Sequence, residues 1–342
     1  MSQTPSFAVI PGADVSRVLE SRHRETVGII EAAYRIHGRG DTVNPPSYFL
    51  RFPDRPSSRI IALPASVGGD VRADGIKWIS SFPENVAAGL PRASAVLILN
   101  DPDTGYPLAC LESSIISAAR TAASAALAAD KLTAGRRRPR RVGFFGTGLI
   151  ARFIHGYLAG TGWEFDETGV FDLSREHAEG FAGYLEGSGA DHGKTVVHDS
   201  AESLIRESDL VVFATVAGTP HVTDPGLFAH NPLVLHISLR DLSPDVVLAA
   251  TNVVDDVEHC LKADTSLHLA EQRLGNRDFV DGTLYDVLTG ELTPPQDRPV
   301  IFSPFGLGVL DLALGKHVHD TIRDAGELAV VEGFFHEMRR YG

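Results

Sequence analysis

Cysteine is nearly missing from this chain: its 342 residues hold two, Cys110 and Cys260, and neither belongs to a CxxC pair. This argues against a disulfide framework and a cysteine-built zinc site, and it fits a reducing, cytoplasmic setting. No apolar run approaches the roughly 18 residues of a membrane-spanning helix, and residues 1–15 lack a basic stretch leading into an apolar core. Neither membrane insertion nor export is therefore expected. An excess of positive charge is missing too. With 31 Lys and Arg against 44 Asp and Glu, the net charge of −13 argues against nucleic acid or an anionic membrane as the main partner. The 14 histidines are scattered, and His317 and His319, two apart on an expected helix, point to different faces, so no metal site is expected.

What is present is the composition of an ordinary globule, 43% hydrophobic and 22% charged, at a length that predicts two domains. The chain is organised around Arg141-Val142-Gly143-Phe144-Phe145-Gly146-Thr147-Gly148-Leu149-Ile150-Ala151. This reads as a buried strand, a tight turn and the first turn of a helix, the geometry that lays a pyrophosphate on helix N-terminal amides. Gly146 permits the turn, Gly148 lets the backbone approach the phosphates, and Ala151 allows the helix to pack closely on the strand. A second strand, Thr168 to Phe171, ends at Asp172, 26 residues past Gly146. A carboxylate there accepts hydrogen bonds from the adenosine ribose and repels a 2′-phosphate, which favours NAD over NADP. Asp172 as a plain cap for a helix from Ser174 to Glu186 is the alternative, and Arg175 facing a phosphate would restore NADP.

Before this unit, Asp14 to Ala33 carries helical apolar spacing, and five runs predict strands: Tyr48 to Phe52, Arg59 to Leu63, Ile76 to Ser80, Ala95 to Leu99 and Tyr106 to Leu111. The last two flank Asn100-Asp101-Pro102-Asp103-Thr104-Gly105 as a hairpin, so a mostly antiparallel sheet is expected. After the glycine turn come strands at Lys194 to Val197, Asp209 to Thr215, Pro232 to Ser238 and Asn252 to Asp256, and the segment Val300 to Gly308; Gly326 to Tyr341 reads as a closing helix. The fold class is thus α/β, a Rossmann-type doubly wound parallel sheet plus a mostly antiparallel α+β domain. The basic run Arg136 to Arg141 reads as a solvated linker between them.

Chemistry is sought where polar residues interrupt apolar surroundings. Arg120 is the single charge in the alanine-rich helix Ser113 to Ala129, and it should face a carboxylate, either the protein's or a bound one. Lys77 and Arg51 each stand alone in an apolar strand, where a cation can also snorkel to solvent. Together with Arg120, and Arg92 as a weaker fourth, they are candidates for a carboxylate clamp. Asp241, directly after the fifth strand, is the general acid/base candidate; capping the helix from Pro244, or pairing with Arg240, are its alternatives.

The segments Gly75-Ile76-Lys77-Trp78-Ile79-Ser80-Ser81-Phe82-Pro83, Leu97-Ile98-Leu99-Asn100-Asp101, Arg120-Thr121-Ala122-Ala123, the glycine turn and Ser303-Pro304-Phe305-Gly306 resemble the ornithine cyclodeaminase/μ-crystallin family over nearly the whole chain. Through Pro91-Arg92-Ala93-Ser94-Ala95 and Ser238-Leu239-Arg240-Asp241 the chain is most similar to the branch of N-(2-amino-2-carboxyethyl)-L-glutamate dehydrogenases that serve 2,3-diaminopropionate synthesis for siderophores and antibiotics. The resemblance implies a substrate-binding and dimerisation domain over residues 1–128 and 315–342, and a dinucleotide-binding domain over 129–314. It also implies a homodimer, NAD as cofactor and a small amino-acid substrate. Arg51, Lys77, Arg92 and Arg120 would bind the substrate, with Asp241 and Lys77 catalytic. The cofactor would meet Gly146, Thr147, Gly148, Leu149 and Ile150, then Asp172 and Ser174. Further along it would meet Thr215, Val216, Ser238, Leu239, Ser303 and Gly306. Cyclodeaminases carry a glycine-rich lead-in where Leu239-Arg240 stands, which argues against proline formation from ornithine. Ornithine cyclodeamination, ketimine reduction and a non-catalytic dinucleotide-binding role remain the alternatives, and the joint presence of Lys77, Arg120 and Asp241 speaks against the last.

Overall fold

A computed structural model describes residues 5–135, 137–190 and 192–336. They form two compact units, one of residues 1–120 and 307–342, the other of 121–306. The boundaries fall eight residues earlier than the resemblance places them (128 against 120, 314 against 306).

The first unit is built on seven strands: β1 Ala8–Ile10, β2 Thr42–Val43, β3 Tyr48–Phe52, β4 Arg55–Val67, β5 Ala73–Ser81, β6 Ala93–Asn100 and β7 Pro107–Glu112. Their order is β1-β7-β6-β5-β4-β2, with β3 also on β4, and every pairing is antiparallel except β1 with β7. The five expected strands are all here. β1 and β2, three and two residues long, are too short to show a period. One face of the sheet, which carries Lys77, Leu97, Leu99 and Leu111, is covered by the helix Gly308–Asp324 running over β4, β5 and β6. Gly315 allows that approach, because a Cβ there would sit 2.1 Å from Leu97 Cδ2. The helices Gly12–Leu19 and His23–Gly38 pack against this one in turn.

The expected helix over Gly326 to Tyr341 is not formed within the described residues. The helix ends at Asp324, Gly326 takes a left-handed φ of +72°, and the chain continues irregularly. Its course is set by aromatic packing instead: Phe334 stacks on Phe7 at 3.9 Å and Val330 bridges Ala8. Residues 337–342 lie outside the described residues.

The second unit is an all-parallel sheet of eight strands: β8 Arg141–Phe145, β9 Glu167–Phe171, β10 Lys194–Val197, β11 Leu210–Phe213, β12 Leu233–His236, β13 Thr251–Val254, β14 Val280–Thr283 and β15 Val300–Ser303. The order is β10-β9-β8-β11-β12-β15-β13-β14. Strand order reverses between β8 and β11, and ligands of doubly wound sheets bind at that switch point, off the carboxyl ends of the strands. β11, β12, β13 and β15 are buried throughout, as parallel strands covered on both faces should be. The basic run is exposed but tied to its own unit: Arg138 lies 4.4 Å over Trp163, Arg140 pairs with Asp166, and Arg141 pairs with Asp209 at 3.1 Å. Arg136 lies outside the described residues.

Candidate active site

Side chains alternate across β5, so Lys77 points into the covered face and is 2% exposed. Snorkelling to solvent does not describe it. Its Nζ donates to Asp311 Oδ2 at 2.6 Å and to Ser117 Oγ at 3.3 Å. Arg120 Nε donates to the other Asp311 oxygen at 3.2 Å. Asp311, wholly buried on the helix Gly308–Asp324, thus sits between two cations, and the trio carries a net charge of +1. Burial, and then the neighbouring Arg120, lower the Lys77 amine from 10.5 to about 8, against the pull of Asp311. A buried net positive charge is costly unless an anion joins it. The carboxylate expected opposite Arg120 is therefore Asp311, a residue the sequence reading missed. Its signal was the same as that of Arg120: one charge in the apolar run Leu307-Gly308-Val309-Leu310-Asp311-Leu312-Ala313-Leu314.

The other two clamp candidates lie farther along the same face. Register joins Arg51 to Arg59 and Arg59 to Ser81, and Ser81 shares the side of β5 that Lys77 occupies. Arg92 donates to Ser81 Oγ at 2.7 Å, and the exposed Arg51 guanidinium lies 5.0 Å over the Phe49 ring.

In the second unit, Gly146 takes φ +87°, and a Cβ there would meet the Ala214 carbonyl oxygen at 2.7 Å. Gly148 is the N-cap of the helix Leu149–Gly160, and a Cβ on it would meet no protein atom within 4 Å, which leaves open space before the helix terminus. Asp172 accepts from the Thr147 amide at 3.1 Å and its hydroxyl at 2.9 Å, and from the Ser174 amide at 3.0 Å. The helix Arg175–Gly187 is capped by Ser174, not Asp172. Arg175 is engaged by Glu179 and Asp199, each at 2.8 Å. A recess of about 270 Å³ lies here, lined by Asp172, Leu173, Arg175 and His198. Open amides, a carboxylate and an apolar wall fit a dinucleotide, and the committed Arg175 fits one without a 2′-phosphate. Among the described residues one His and carboxylate group, Glu167, His198 and Glu207, brings ligand-type atoms within 4.8 Å, and Arg141 already supplies positive charge beside both carboxylates.

The third cluster follows β11 and β12. Asp241 is 0% exposed. Its Oδ1 accepts from Thr215 Oγ1 at 2.5 Å and from His221 Nε2 at 3.1 Å, and its Oδ2 accepts from the Ser238 hydroxyl. Burial pushes its carboxyl up, but the hydrogen bonds of His221 and Ser238 hold it well below the usual carboxylate range. His236 is no donor to it: Nε2 accepts the Asp241 amide at 3.1 Å, which places the ring proton on Nδ1, toward Ser303 Oγ at 3.2 Å. Ser243 caps the helix Pro244–Leu248, and Arg240 donates to the carbonyls of Ala263 and Asp264. Leu239 reaches this turn with φ +77°, and Val216 is exposed at the end of β11. Gly306 is held in place by buried Asp255, which accepts its amide at 2.7 Å and that of Phe305 at 2.9 Å. His221 and Asp255 were not foreseen. His221 sits in a Gly/Pro loop with no period, and Asp255 in Asp255-Asp256 reads as a turn.

A Rossmann sheet with a glycine elbow, joined to a mixed sheet carrying buried cations, defines a two-domain nucleotide-type class of protein. The sequence model of the ornithine cyclodeaminase/mu-crystallin family matches residues 12–326, and the chain belongs to that family. It is 26% identical over 318 residues to the N-((2S)-2-amino-2-carboxyethyl)-L-glutamate dehydrogenase of Staphylococcus aureus, covering 90% of this chain and 93% of the relative. An archaeal alanine dehydrogenase dimer with bound NAD superposes with a TM-score of 0.84 at 25% identity, over 96% of this chain and all of the other. The Thermococcus litoralis Δ1-pyrroline-2-carboxylate reductase in complex with NADH and L-proline shares the fold, with a TM-score of 0.86 at 23% identity over 95% and 100% of the two chains.

Proposed function

We propose that this chain is an NAD-dependent amino-acid dehydrogenase that oxidatively hydrolyses N-(2-amino-2-carboxyethyl)-L-glutamate to L-2,3-diaminopropionate and 2-oxoglutarate. The observation that carries the reading is the buried Lys77, Asp311 and Arg120 trio, whose net +1 charge calls for one substrate carboxylate. Arg92 and Arg51, on the same sheet face, suit the additional carboxylates of a substrate richer in acid groups than alanine or proline. The likeness to the S. aureus enzyme of that name supports the choice of substrate.

Gly146, Thr147, Gly148, Leu149 and Ile150 would hold the cofactor's pyrophosphate, Asp172 and Ser174 its adenosine side, and Thr215, Val216, Ser238, Leu239, Ser303 and Gly306 the opposite end. NAD, when bound, supplies the hydride acceptor. The protein's own part is positioning and proton handling. Lys77 and Arg120 fix the carboxylate so that one C–H bond is presented in a single orientation, and such fixing can account for a large share of the rate. The Asp241 and His221 pair removes a proton so that the substrate nitrogen has a free lone pair.

The test is spectrophotometric. NADH should accumulate when the glutamate adduct is mixed with NAD, with 2-oxoglutarate released in equal amount. Turnover of ornithine to proline without net NADH would replace this reading with cyclodeamination. Activity confined to NADH and a cyclic imine would replace it with the reductase.

The same reading includes a homodimer. The uncovered face of the first sheet is a register row of Tyr48, Ala62, Trp78 and Val96, flanked by Leu50 and Val9, with Tyr48 68% and Trp78 41% exposed. An apolar patch of this kind on a sheet face marks an association surface, and the archaeal alanine dehydrogenase is a dimer.

A further inference from the structure

We propose that the proton acceptor of this site is Nδ1 of His221, with Asp241 as the residue that positions it; the inference rests on the amine-oxidation reading above. Asp241 has no exposed surface, and its two oxygens take donors from Thr215, His221 and Ser238. A carboxylate so enclosed presents no surface to a substrate nitrogen, whereas the His221 side chain is 38% exposed. An ionised Asp241 accepts only if His221 carries its ring proton on Nε2, so Nδ1, on the opposite edge of the ring, holds a lone pair. Among the described residues no hydrogen bond to that nitrogen is found.

The backbone fixes the pair independently of the side chains. The His221 and Val222 amides both donate to the Asp241 carbonyl, at 3.0 and 2.9 Å, and the Ser243 amide donates to Val222. Phe145 closes one side of the imidazole edge-on at 5.2 Å. A flexible loop residue is thereby locked at the carboxyl ends of β11 and β12, in the crevice where a doubly wound sheet places its ligand. In the step itself, an N–H bond of the substrate's secondary ammonium breaks and its electron pair stays on nitrogen. The proton bonds to His221 Nδ1, and Asp241 balances the imidazolium that results. Nothing is oxidised in this step.

The experiment compares His221→Gln and His221→Ala with Asp241→Asn, each first checked for unchanged melting. Turnover should fall about 100- to 10,000-fold in both His221 variants, the range for losing a positioned base. NAD binding, read by protein fluorescence, should be unchanged. Added imidazole should restore part of the activity of His221→Ala and none of that of Asp241→Asn. Nitrogen-detected NMR of histidine-labelled protein without NAD should show the Nε2–H form at His221, lost in Asp241→Asn. An Nδ1–H form in the wild type, or His221→Ala turning over at the wild-type rate, overturns the proton assignment alone. A wild-type protein that oxidises no amine with NAD overturns the functional reading and this inference together.

Discussion

Lys77 is the residue whose behaviour most directly reports on the cation pair. Its amine, lowered to about 8 by burial and by Arg120, carries charge below that pH and loses it above. kcat/KM for a carboxylate substrate should therefore fall as pH rises above about 8, as initial rates across pH will show. Lys77→Met should raise KM for the amino acid while leaving NAD affinity alone. His155 gives a second reading at this scale. It is buried against Phe144 and Tyr184 with neither ring nitrogen hydrogen-bonded among the described residues, and burial, with His192 nearby, lowers it to about 4. The unfolded chain then binds more protons than the folded one between about pH 6.5 and 4. Stability is full above 6.5 and declines as pH falls through that window, by up to about 3 kcal/mol. His155→Leu should flatten that decline, measured as the difference in urea midpoint between pH 7 and pH 5. Much at this scale was legible in the sequence where a lone charge broke an apolar run. Lys77 and Arg120 were found that way, and Asp311 was open to the same test. His221 was not, because its role comes from hydrogen bonds between two loops that are twenty residues apart in sequence.

Among the elements, the strand, turn and helix over residues 141–160 tie local chemistry to ligand binding. Gly146→Ala should both strain the backbone and press on the Ala214 carbonyl, so NAD affinity should fall at least tenfold and the melting temperature should drop, checked by fluorescence titration and thermal unfolding. Gly148→Ala should spare stability and reduce only NAD binding, since its Cβ would enter open space. This motif and the parallel strands β8, β11 and β12 were readable because a strand covered on both faces must be apolar along its length. β14 was not. Val280-Asp281-Gly282-Thr283 lies at the sheet edge, where one side is free of that demand. The closing segment misled for a related reason: Phe334 and Phe335 pack on Phe7 and Tyr106, the backbone at Val330 and Val331 bonds to Ala8 and Phe7, and glycines at 326 and 333 take positive φ.

For the molecule as a whole, the bare face of the first sheet has the clearest consequence. Trp78→Glu together with Val96→Asp should leave each fold intact by circular dichroism and convert a dimer to monomers in sedimentation velocity. Wild-type protein running as a monomer at micromolar concentration would remove the surface from consideration. Composition foretold an acidic globule of two parts, but which face stays bare follows from where the helix Gly308–Asp324 lies, and that is a matter of long-range pairing. The same helix carries one further implication. Asp311 arrives 234 positions after the lysine it neutralises. On the ribosome, Lys77 and Arg120 must wait as two uncompensated cations until residue 311 emerges, so the first unit can be completed only after the whole of the second, residues 121–306, has been made.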